Sequence, residues 1–302
     1  METKRNIALD TILEALFTPY RERVPDVQKI SEAMISHGII QDENEIVNDH
    51  IAFRTLGIPN LGINSFEKIF LHYGYEKRDY YYFEGKKLDA YWYAPPEDHY
   101  PRIFMSELRV SELSEEAQKI IKKYTQNITS DPVDHIDLDD TKRVGQFFYK
   151  PLWNMPSLAD YYTLADESEY AAWVIYNRYY LNHYTISVHD LPKAYNTIEK
   201  FNEFLESIDI KLNTSGGKIK TSKDGLLKQS STIAKMVEAE FSGGEKALIA
   251  GSYVEFAERL PLPVYQDGTT INFTRVQRRD GFESANADKI FESTYREQTN
   301  NV

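Results

Sequence analysis

One order of secondary-structure signals occurs twice along the chain, and this repetition constrains the fold more than any other feature. A short run rich in β-formers, VNDHIAFRT, precedes an amphipathic helix signal, FEKIFLHYG, and then three strand-like runs, YEKRDYYYFEG, KKLDAYWYAPP and PRIFMSELRV. After residue 180 the strand-like NHYTISVHD precedes LPKAYNTIEKFNEFLESI, a predicted helix with Pro192 in its first turn. Extended runs follow and end in ALIAGSYVEFAERL, which reads as one strong strand. We therefore predict an α+β fold built from two βαβββ units.

The remaining stretches of the chain lie around these two units. Apolar residues recur at three and four positions in residues 7–17 and 27–35, which predicts two helices separated by a break at Pro19 and Pro25. The last twenty or so residues are polar and weakly periodic, so we expect a loose helix or a frayed tail there. We expect a single compact domain with five consecutive parts: N-terminal helices (1–45), the first βαβββ unit (46–110), a mainly helical connection (111–180), the second βαβββ unit (181–280) and a C-terminal tail (281–302).

Paired βαβββ units would form a half-open, curved sheet, and the concave face of such a sheet is a natural site for a small molecule. Neighbouring residues on a strand face opposite ways, so His50 and Arg54 share one face of the first strand while apolar residues fill the other. His183 and Glu255 lie in the same way on the polar faces of their own strands. These strands therefore have the alternation expected of a sheet that packs on one side and lines a pocket on the other.

Two imidazoles and one carboxylate on three separate strands suggest a metal site. The chain has no cysteine, which excludes disulfides, thiolate zinc sites and iron–sulfur clusters, so a transition metal would need His and carboxylate ligands. His50, His183 and Glu255 would form a facial triad, which leaves open positions on the metal and suits ferrous iron and oxygen chemistry. Zinc, manganese or nickel could bind the same ligands. The spacing alone leaves open that each histidine is an ordinary hydrogen-bonded residue within a strand.

Arg54 is a candidate for holding an acidic substrate. It lies four strand residues from His50 on the same face, roughly 13 Å along an extended chain. Its planar guanidinium could bind the distal carboxylate of a dicarboxylic acid whose other end chelates the metal, although Arg54 could equally pair with a structural Asp or Glu. His189 lies roughly 20 Å from His183 on the same predicted strand, too far to bind the same ion. We expect His189 to help Asp190 cap the helix that follows.

Net charge and hydropathy limit the partners. The net charge of −12 argues against nucleic acid or an anionic membrane surface, because neutralising phosphates requires clustered Lys and Arg. No run of about 18 apolar residues occurs, and the first residues do not have the pattern of a signal peptide. A cytoplasmic protein without a membrane partner is the expectation, and the oligomeric state stays open.

The segments that carry these residues resemble a known family, the 2-oxoadipate dioxygenase/decarboxylases, also called hydroxyglutarate synthases and formerly a domain of unknown function. The resemblance extends over residues 15–265, nearly all of the organised chain, and DHIAFRT and YVEFAER are its most specific pieces. The other matching segments include YRERVPDVQKI, DYYYFEGKKLDAYWYAPP, PRIFMSEL, YLNHYTISVHDL and LLKQSSTIA.

The resemblance implies a fold like that of the vicinal oxygen chelate superfamily around one metal site. It also implies that the metal ligands are His50, His183 and Glu255. Arg54 corresponds to the family's substrate arginine and is expected to act in both binding and catalysis. The polar residues that resemble family residues near the substrate pocket are Gln229, Ser230 and Ser231.

The reaction that the resemblance implies is an Fe(II)-dependent oxidative decarboxylation of a 2-oxo diacid, in the context of lysine catabolism. For 2-oxoadipate the product would be 2-hydroxyglutarate, with O2 consumed and CO2 released. One alternative is a non-oxidative metalloenzyme on the same scaffold, a hydrolase or a glyoxalase-like isomerase that uses zinc or nickel as a Lewis acid. Another is a binding module that sequesters a small acid without turnover.

Overall fold

Ten α-helices and ten β-strands lie in the part of the chain that the computed structural model describes, residues 2–266, 268 and 272–300. The helices are α1 (Glu2–Arg23), α2 (Pro25–Ser36), α3 (Ile63–His72), α4 (Glu115–Thr125), α5 (Thr141–Phe147), α6 (Leu158–Glu167), α7 (Glu169–Asn177), α8 (Ile198–Ser207), α9 (Ser284–Phe291) and α10 (Arg296–Thr299). The strands are β1 (Asn48–Leu56), β2 (Glu76–Phe83), β3 (Leu88–Ala94), β4 (Arg102–Leu108), β5 (His183–Ser187), β6 (Lys220–Thr221), β7 (Leu227–Ser231), β8 (Met236–Glu240), β9 (Lys246–Ala250) and β10 (Tyr253–Arg259). None of these helices has the length and hydropathy that a membrane crossing requires.

Eight of the strands form one mixed sheet, and the two halves of this sheet have the same arrangement. From the centre outward one half is ordered β1, β4, β3, β2 and the other β5, β10, β7, β6. Within the halves, β1 is parallel to β4 and β5 is parallel to β10, whereas β1 and β5 pair antiparallel in the middle. In each half one helix, α3 or α8, follows the first strand. The predicted α+β fold with two βαβββ units around a curved sheet is confirmed.

The second unit departs from the prediction in two places. The segment ALIAGSYVEFAERL is not one strand, because Gly251 and Ser252 interrupt it. The β9 half pairs with β8 as a separate hairpin, and the β10 half enters the main sheet. Helix α8 begins at Ile198 and not near Pro192, since the side chain of Thr197 accepts a hydrogen bond from the Lys200 backbone and caps the helix there.

Helix α1 continues through Pro19, where a break was predicted. A proline nitrogen cannot donate to the carbonyl four residues earlier, which here belongs to Ala15. The hydroxyl of Tyr149 donates to that carbonyl instead, and it lies 2.9 Å from the carbonyl oxygen of Leu16 as well. A partner distant in sequence thus satisfies the acceptor that the proline leaves open.

The outer face of the sheet packs against helices and forms the core. Phe53 of β1 is fully buried, and its ring centroid lies 4.8 Å from Phe66 and 5.6 Å from Phe70, both on α3. In the second half, Phe256 of β10 lies 5.3 Å from Phe201 of α8. Burial of these apolar faces is the main stabilising contribution to the fold, and it fixes which side chains point inward.

The C-terminal segment is ordered, and the expectation of a loose helix or frayed tail is wrong. Phe291 is buried and packs against Phe83 of β2 and Phe104 of β4, with centroid distances of 5.2 and 6.4 Å. Ser293 and Thr294 are also buried. The helices α9 and α10 have eight and four residues, too short to display a helical period in the sequence. Residues 301–302 of the predicted tail lie outside the described residues.

Candidate metal centre

The inward-facing side chains of the central strands form successive rows across the sheet, as the strand registers show. The first row, on β1, β5 and β10, is His50, Thr185 and Glu255. The next row on the same strands is Ala52, His183 and Tyr253. Arg54 of β1 lies one row further on, opposite Ser106 of β4. The rows thus place a cluster of imidazole and carboxylate groups at one end and a guanidinium at the other.

The structure brings together the three side chains that the sequence suggested as metal ligands. His50, His183 and Glu255 each offer one ligand atom, and these atoms lie within 4.8 Å of one another. Nε2 of His50 is 3.3 Å from Oε1 of Glu255, and Nε2 of His183 is 2.9 Å from Oε2 of the same carboxylate. The three residues are 1%, 6% and 1% exposed. The cluster is therefore withdrawn from water.

The donor atoms of this cluster fit a divalent cation. Nε2 of His183 is buried and, despite its closeness to Glu255, makes no hydrogen bond of acceptable geometry to any described residue. Burial lowers the pKa of His183, which favours the neutral imidazole that metals bind. Burial also acts to raise the pKa of Glu255, but His50 and His183 outweigh it and hold that pKa well below its ordinary value. Two imidazoles and an ionised carboxylate form a set that suits several transition metals.

The residue that precedes each histidine contacts the other nitrogen of its ring. Oδ1 of Asp49 lies 2.8 Å from Nδ1 of His50, and Oδ1 of Asn182 lies 3.1 Å from Nδ1 of His183. Acceptors at Nδ1 hold the tautomer that leaves the Nε2 lone pair free for a metal. Sequence reasoning missed both residues, although the Asp-His and Asn-His pairs were a visible signal. Strict alternation turns Asp49 away from His50, but the register between β1 and β5 shifts at this point and redirects the side chain.

Two buried arginines surround Asp49. Nε of Arg259 lies 2.6 Å from Oδ2 of Asp49 and its Nη2 lies 2.9 Å from Oδ1, while Nη1 of Arg102 lies 3.3 Å from Oδ2. Burial acts to raise the pKa of Asp49, but Arg259 and Arg102 outweigh it, so the pKa lies well below its ordinary value. Arg259 also donates from Nη1 to the carbonyl of Gly281 at 2.7 Å. A chain of contacts from Arg259 through Asp49 to His50 thus leads into the cluster.

Gln229 of β7 contacts the cluster directly. Its Nε2 donates to Oε1 of Glu255 at 2.6 Å, and its Oε1 accepts from Asn286 of α9 at 2.9 Å. Asn286 therefore fixes the amide of Gln229, and the amide in turn orients the carboxylate of Glu255. The sequence placed Gln229 only near the pocket, whereas the structure shows it in direct contact with Glu255.

The two serines that follow Gln229 point to opposite faces of β7. Oγ of Ser231 faces inward and lies 2.9 Å from Oγ of Ser293 in the C-terminal segment. Ser230 faces outward and donates to Oδ1 of Asn202 on α8 at 2.7 Å. The suggestion that Ser230 binds substrate is therefore corrected, because strand alternation places its hydroxyl on the helix side of the sheet.

Arg54 is fully buried beside the C-terminal segment. Its Nη1 donates to Oγ1 of Thr294 at 2.9 Å, and its Nη2 donates to the carbonyl of Phe291 at 3.0 Å. Its Cζ lies 5.3 Å from the ring centroid of Tyr170 and 5.2 Å from that of Trp173. Both of these hydrogen-bond acceptors are uncharged. The alternative that Arg54 pairs with a structural Asp or Glu is therefore not what these hydrogen bonds show. The Nε atom has no partner among the described residues.

His189 does not cap a helix, contrary to the expectation. Strand β5 ends at Ser187, and His189 lies in a short 3-10 turn, well before α8 begins. Its Nδ1 accepts a hydrogen bond from the backbone of Arg259 at 3.2 Å. Burial lowers the pKa of His189 to about 4. The residue is a neutral structural acceptor behind the site.

Comparison with known proteins identifies close relatives. Residues 12–270 match the family model of the 2-oxoadipate dioxygenase/decarboxylases. The chloroplastic 2-oxoadipate dioxygenase/decarboxylase of Arabidopsis thaliana is 42% identical over 299 residues, which cover 95% of this chain and 78% of that protein. The crystal structure of the hydroxyglutarate synthase from Oryza sativa in complex with 2-oxoadipate is 40% identical, with a TM-score of 0.90, and the match covers 99% of this chain and 96% of that one.

A more distant similarity concerns the fold alone. A structure from Ralstonia eutropha, described as belonging to the glyoxalase superfamily, is 20% identical, with a TM-score of 0.71 over 90% of this chain and 85% of that one. This similarity agrees with the predicted arrangement of two βαβββ units around a curved sheet.

Proposed function

Because this chain belongs to the 2-oxoadipate dioxygenase/decarboxylase family, we propose that it converts 2-oxoadipate and O2 into 2-hydroxyglutarate and CO2. The balance of this reaction leaves both atoms of O2 in the hydroxy acid when C1 leaves as CO2. The observation that carries the proposal is the buried cluster of His50, His183 and Glu255, with Arg54 further along the same inner face. A diacid with one chelating end and one free carboxylate fits this arrangement.

We propose Fe(II) as the metal, with His50, His183 and Glu255 as its ligands. These two imidazoles and one carboxylate would leave open positions on the metal, and bound iron would supply the redox chemistry that a reaction with O2 requires. Zinc, manganese or nickel could bind the same donors in a given preparation. Gln229 and Ser231 are proposed to complete the polar surroundings of the substrate.

The contribution of the protein is orientation and charge. Asp49 and Asn182 hold the two imidazoles from Nδ1, and Gln229 holds the carboxylate of Glu255, so the ligand atoms are positioned before any metal or substrate binds. The near-complete burial of the cluster excludes bulk water, which strengthens electrostatic interactions within the site. Preorganised ligands and a dry site suit an oxidation whose reactive species must be protected from solvent.

Arg54 is proposed to bind the distal carboxylate of the substrate and so to place the reacting end at the metal. A charge-assisted hydrogen bond of this kind contributes about 1.5–3 kcal/mol. Because the described hydrogen-bond partners of Arg54 are uncharged, its positive charge is available to a substrate anion. This makes Arg54 both a binding residue and a catalytic one.

The physiological setting stays a prediction. Lysine catabolism and a cytoplasmic location follow from the sequence interpretation alone. The relatives from Arabidopsis thaliana and Oryza sativa are named as chloroplastic and as chloroplastic or amyloplastic proteins.

Oxygen consumption tests the proposed reaction. Protein reconstituted with Fe(II) without oxygen should, on addition of O2 and 2-oxoadipate, consume O2 and release CO2 in equal amounts, and an Arg54→Ala variant should need much more substrate. Turnover that proceeds equally well without O2 would instead indicate a non-oxidative metalloenzyme. Stabilisation by the acid without any product would indicate a binding module.

A further inference from the structure

The hydroxyl of Tyr253 is buried and has no hydrogen-bond partner among the described residues, although the residue is only 1% exposed. A polar group withdrawn from water without a partner costs free energy, so such groups are rare in native proteins. Two other buried tyrosines show the usual arrangement: Tyr75 donates to the carbonyl of Pro101 at 3.0 Å, and Tyr179 accepts from the backbone of Gly62 at 3.1 Å. The exception lies in the candidate site, which suggests that a ligand supplies the partner.

The strand registers place Tyr253 between the metal cluster and Arg54. Tyr253 pairs with His183 on β5, and the two ring centroids are 4.7 Å apart. His183 in turn pairs with Ala52 on β1, and Arg54 lies two residues beyond Ala52 on the same face. The row of Tyr253 is thus next to the row of Glu255 on one side and next to that of Arg54 on the other, with about 7 Å between successive rows.

A second unpartnered donor lies nearby. Both terminal nitrogens of Arg54 already donate to the C-terminal segment, whereas its buried Nε has no partner among the described residues. Arg54 and Tyr253 lie on adjacent rows of the same inner face, so the two donors are neighbours. The site therefore contains two adjacent free donors, one O–H and one N–H.

We propose that Tyr253 is a substrate-binding residue, which donates its hydroxyl hydrogen to one oxygen of the distal carboxylate while Nε of Arg54 donates to the other. A carboxylate accepts two such bonds readily, and both are charge-assisted. This inference rests on the proposed function and sharpens it, because the terminal nitrogens of Arg54 can stay bound to the C-terminal segment. A 2-oxo acid with an uncharged end would leave both donors unsatisfied, so Tyr253 helps to select a diacid.

The substitution Tyr253→Phe tests this role with binding and stability as the readouts. The probes are 2-oxoadipate and 2-oxohexanoate, which has the same carbon chain without the distal carboxylate, added to Fe(II)-loaded protein without oxygen. The parent should prefer 2-oxoadipate, and Tyr253→Phe should lose about tenfold or more of that preference while its affinity for 2-oxohexanoate changes little. Without ligand, Tyr253→Phe should be at least as thermally stable as the parent, because the deleted hydroxyl has no partner.

Tyr75→Phe is the matched control, since it deletes a buried hydroxyl that is bonded and lies outside the site. It should lower the melting temperature and leave the preference for the diacid unchanged. Tyr253→Leu, which also lacks the hydroxyl, should lose the preference as Tyr253→Phe does.

The inference is overturned if both Tyr253 variants keep the parent's preference, or if the parent itself binds the two acids equally. A parent that prefers the diacid but consumes no oxygen would contradict the proposed reaction and leave the role of Tyr253 standing.

Discussion

Asp49 contacts His50 on the side of the imidazole that faces away from Glu255: Oδ1 of Asp49 lies 2.8 Å from Nδ1, and Oε1 of Glu255 lies 3.3 Å from Nε2. Behind Asp49, the bidentate contact with Arg259 fixes the carboxylate. The tautomer and ring orientation of a proposed metal ligand therefore depend on a buried ion pair that does not touch the metal position.

Asp49→Asn tests this dependence. The amide keeps the shape of the side chain but removes the ionised partner of the buried Arg259, whereas Arg102 keeps its contact with Asp280, so the free energy of unfolding should fall by about 3–5 kcal/mol. Metal affinity should fall about 10- to 100-fold, because the amide is a weaker acceptor for Nδ1–H. Urea unfolding and metal titration measure the two effects. The control Asp224→Asn removes a partly exposed partner of Arg279 and should change stability by less than about 1 kcal/mol. Unchanged metal affinity in Asp49→Asn would contradict the orienting role.

Gln229→Ala and Ser230→Ala test the roles of the two faces of β7, of which one faces the metal cluster and the other faces α8. Gln229→Ala removes the donor to Glu255, so metal affinity should fall about tenfold or more. Ser230→Ala removes the donor to Asn202 on the helix side, so it should cost about 1 kcal/mol of stability and leave kcat/KM for 2-oxoadipate unchanged. Metal titration, steady-state kinetics and urea unfolding of both variants measure the difference. An equal loss of kcat/KM in Ser230→Ala would return Ser230 to the substrate site.

Thr294→Val tests the contact between Arg54 and the C-terminal segment. Valine has the same shape but cannot accept the hydrogen bond from Nη1, so a buried charged donor loses its partner. We expect a loss of about 1–3 kcal/mol in the free energy of unfolding and a higher KM for 2-oxoadipate, measured by urea unfolding and steady-state kinetics. Thr163→Val, on the exposed surface of α6, is the matched control and should be within about 0.5 kcal/mol of the parent. If both variants behave alike, the contact does not position Arg54.

His189 predicts a pH dependence of stability. Burial lowers its pKa in the folded protein to about 4, from an ordinary value of 6.5. Between these values the unfolded chain binds a proton that the folded chain does not, so the free energy of unfolding falls as the pH falls from 6.5 to 4. His189→Asn keeps an acceptor for the Arg259 backbone but cannot titrate, so its loss across this window should be smaller by about 1–3 kcal/mol. Urea unfolding at pH 7 and pH 4.5 measures the difference, and equal losses would contradict this account. Between pH 7 and pH 8, where His189 is neutral in both the folded and the unfolded chain, the free energy of unfolding should change by the same amount in the parent and in His189→Asn.

Alternation along strands was enough to place His50, Arg54, His183 and Glu255 on one inner face. The prediction succeeded because the outer face of each strand is apolar and has to pack against α3 or α8, which fixes the register.

Strand alternation could not predict features that depend on an irregular strand register or on contacts with residues distant in sequence. The shift of register at Asp49 redirects one side chain against the alternation. The C-terminal segment is defined by its contacts with Arg54 and β7, more than 60 residues away along the chain, and not by a period of its own. The role of Ser230 was misjudged because the polar run at residues 229–231 contains residues of both faces.

Isotope labelling with ¹⁸O₂ tests the central claim most directly. Fe(II)-loaded protein that turns over 2-oxoadipate under ¹⁸O₂ should give 2-hydroxyglutarate with two ¹⁸O atoms, one in the new carboxylate and one in the hydroxyl, detected by mass spectrometry. The His183→Ala variant should not bind metal stoichiometrically and should form no labelled product. Unlabelled 2-hydroxyglutarate from the parent, or full labelling from His183→Ala, would contradict an oxidative decarboxylation at the cluster of His50, His183 and Glu255.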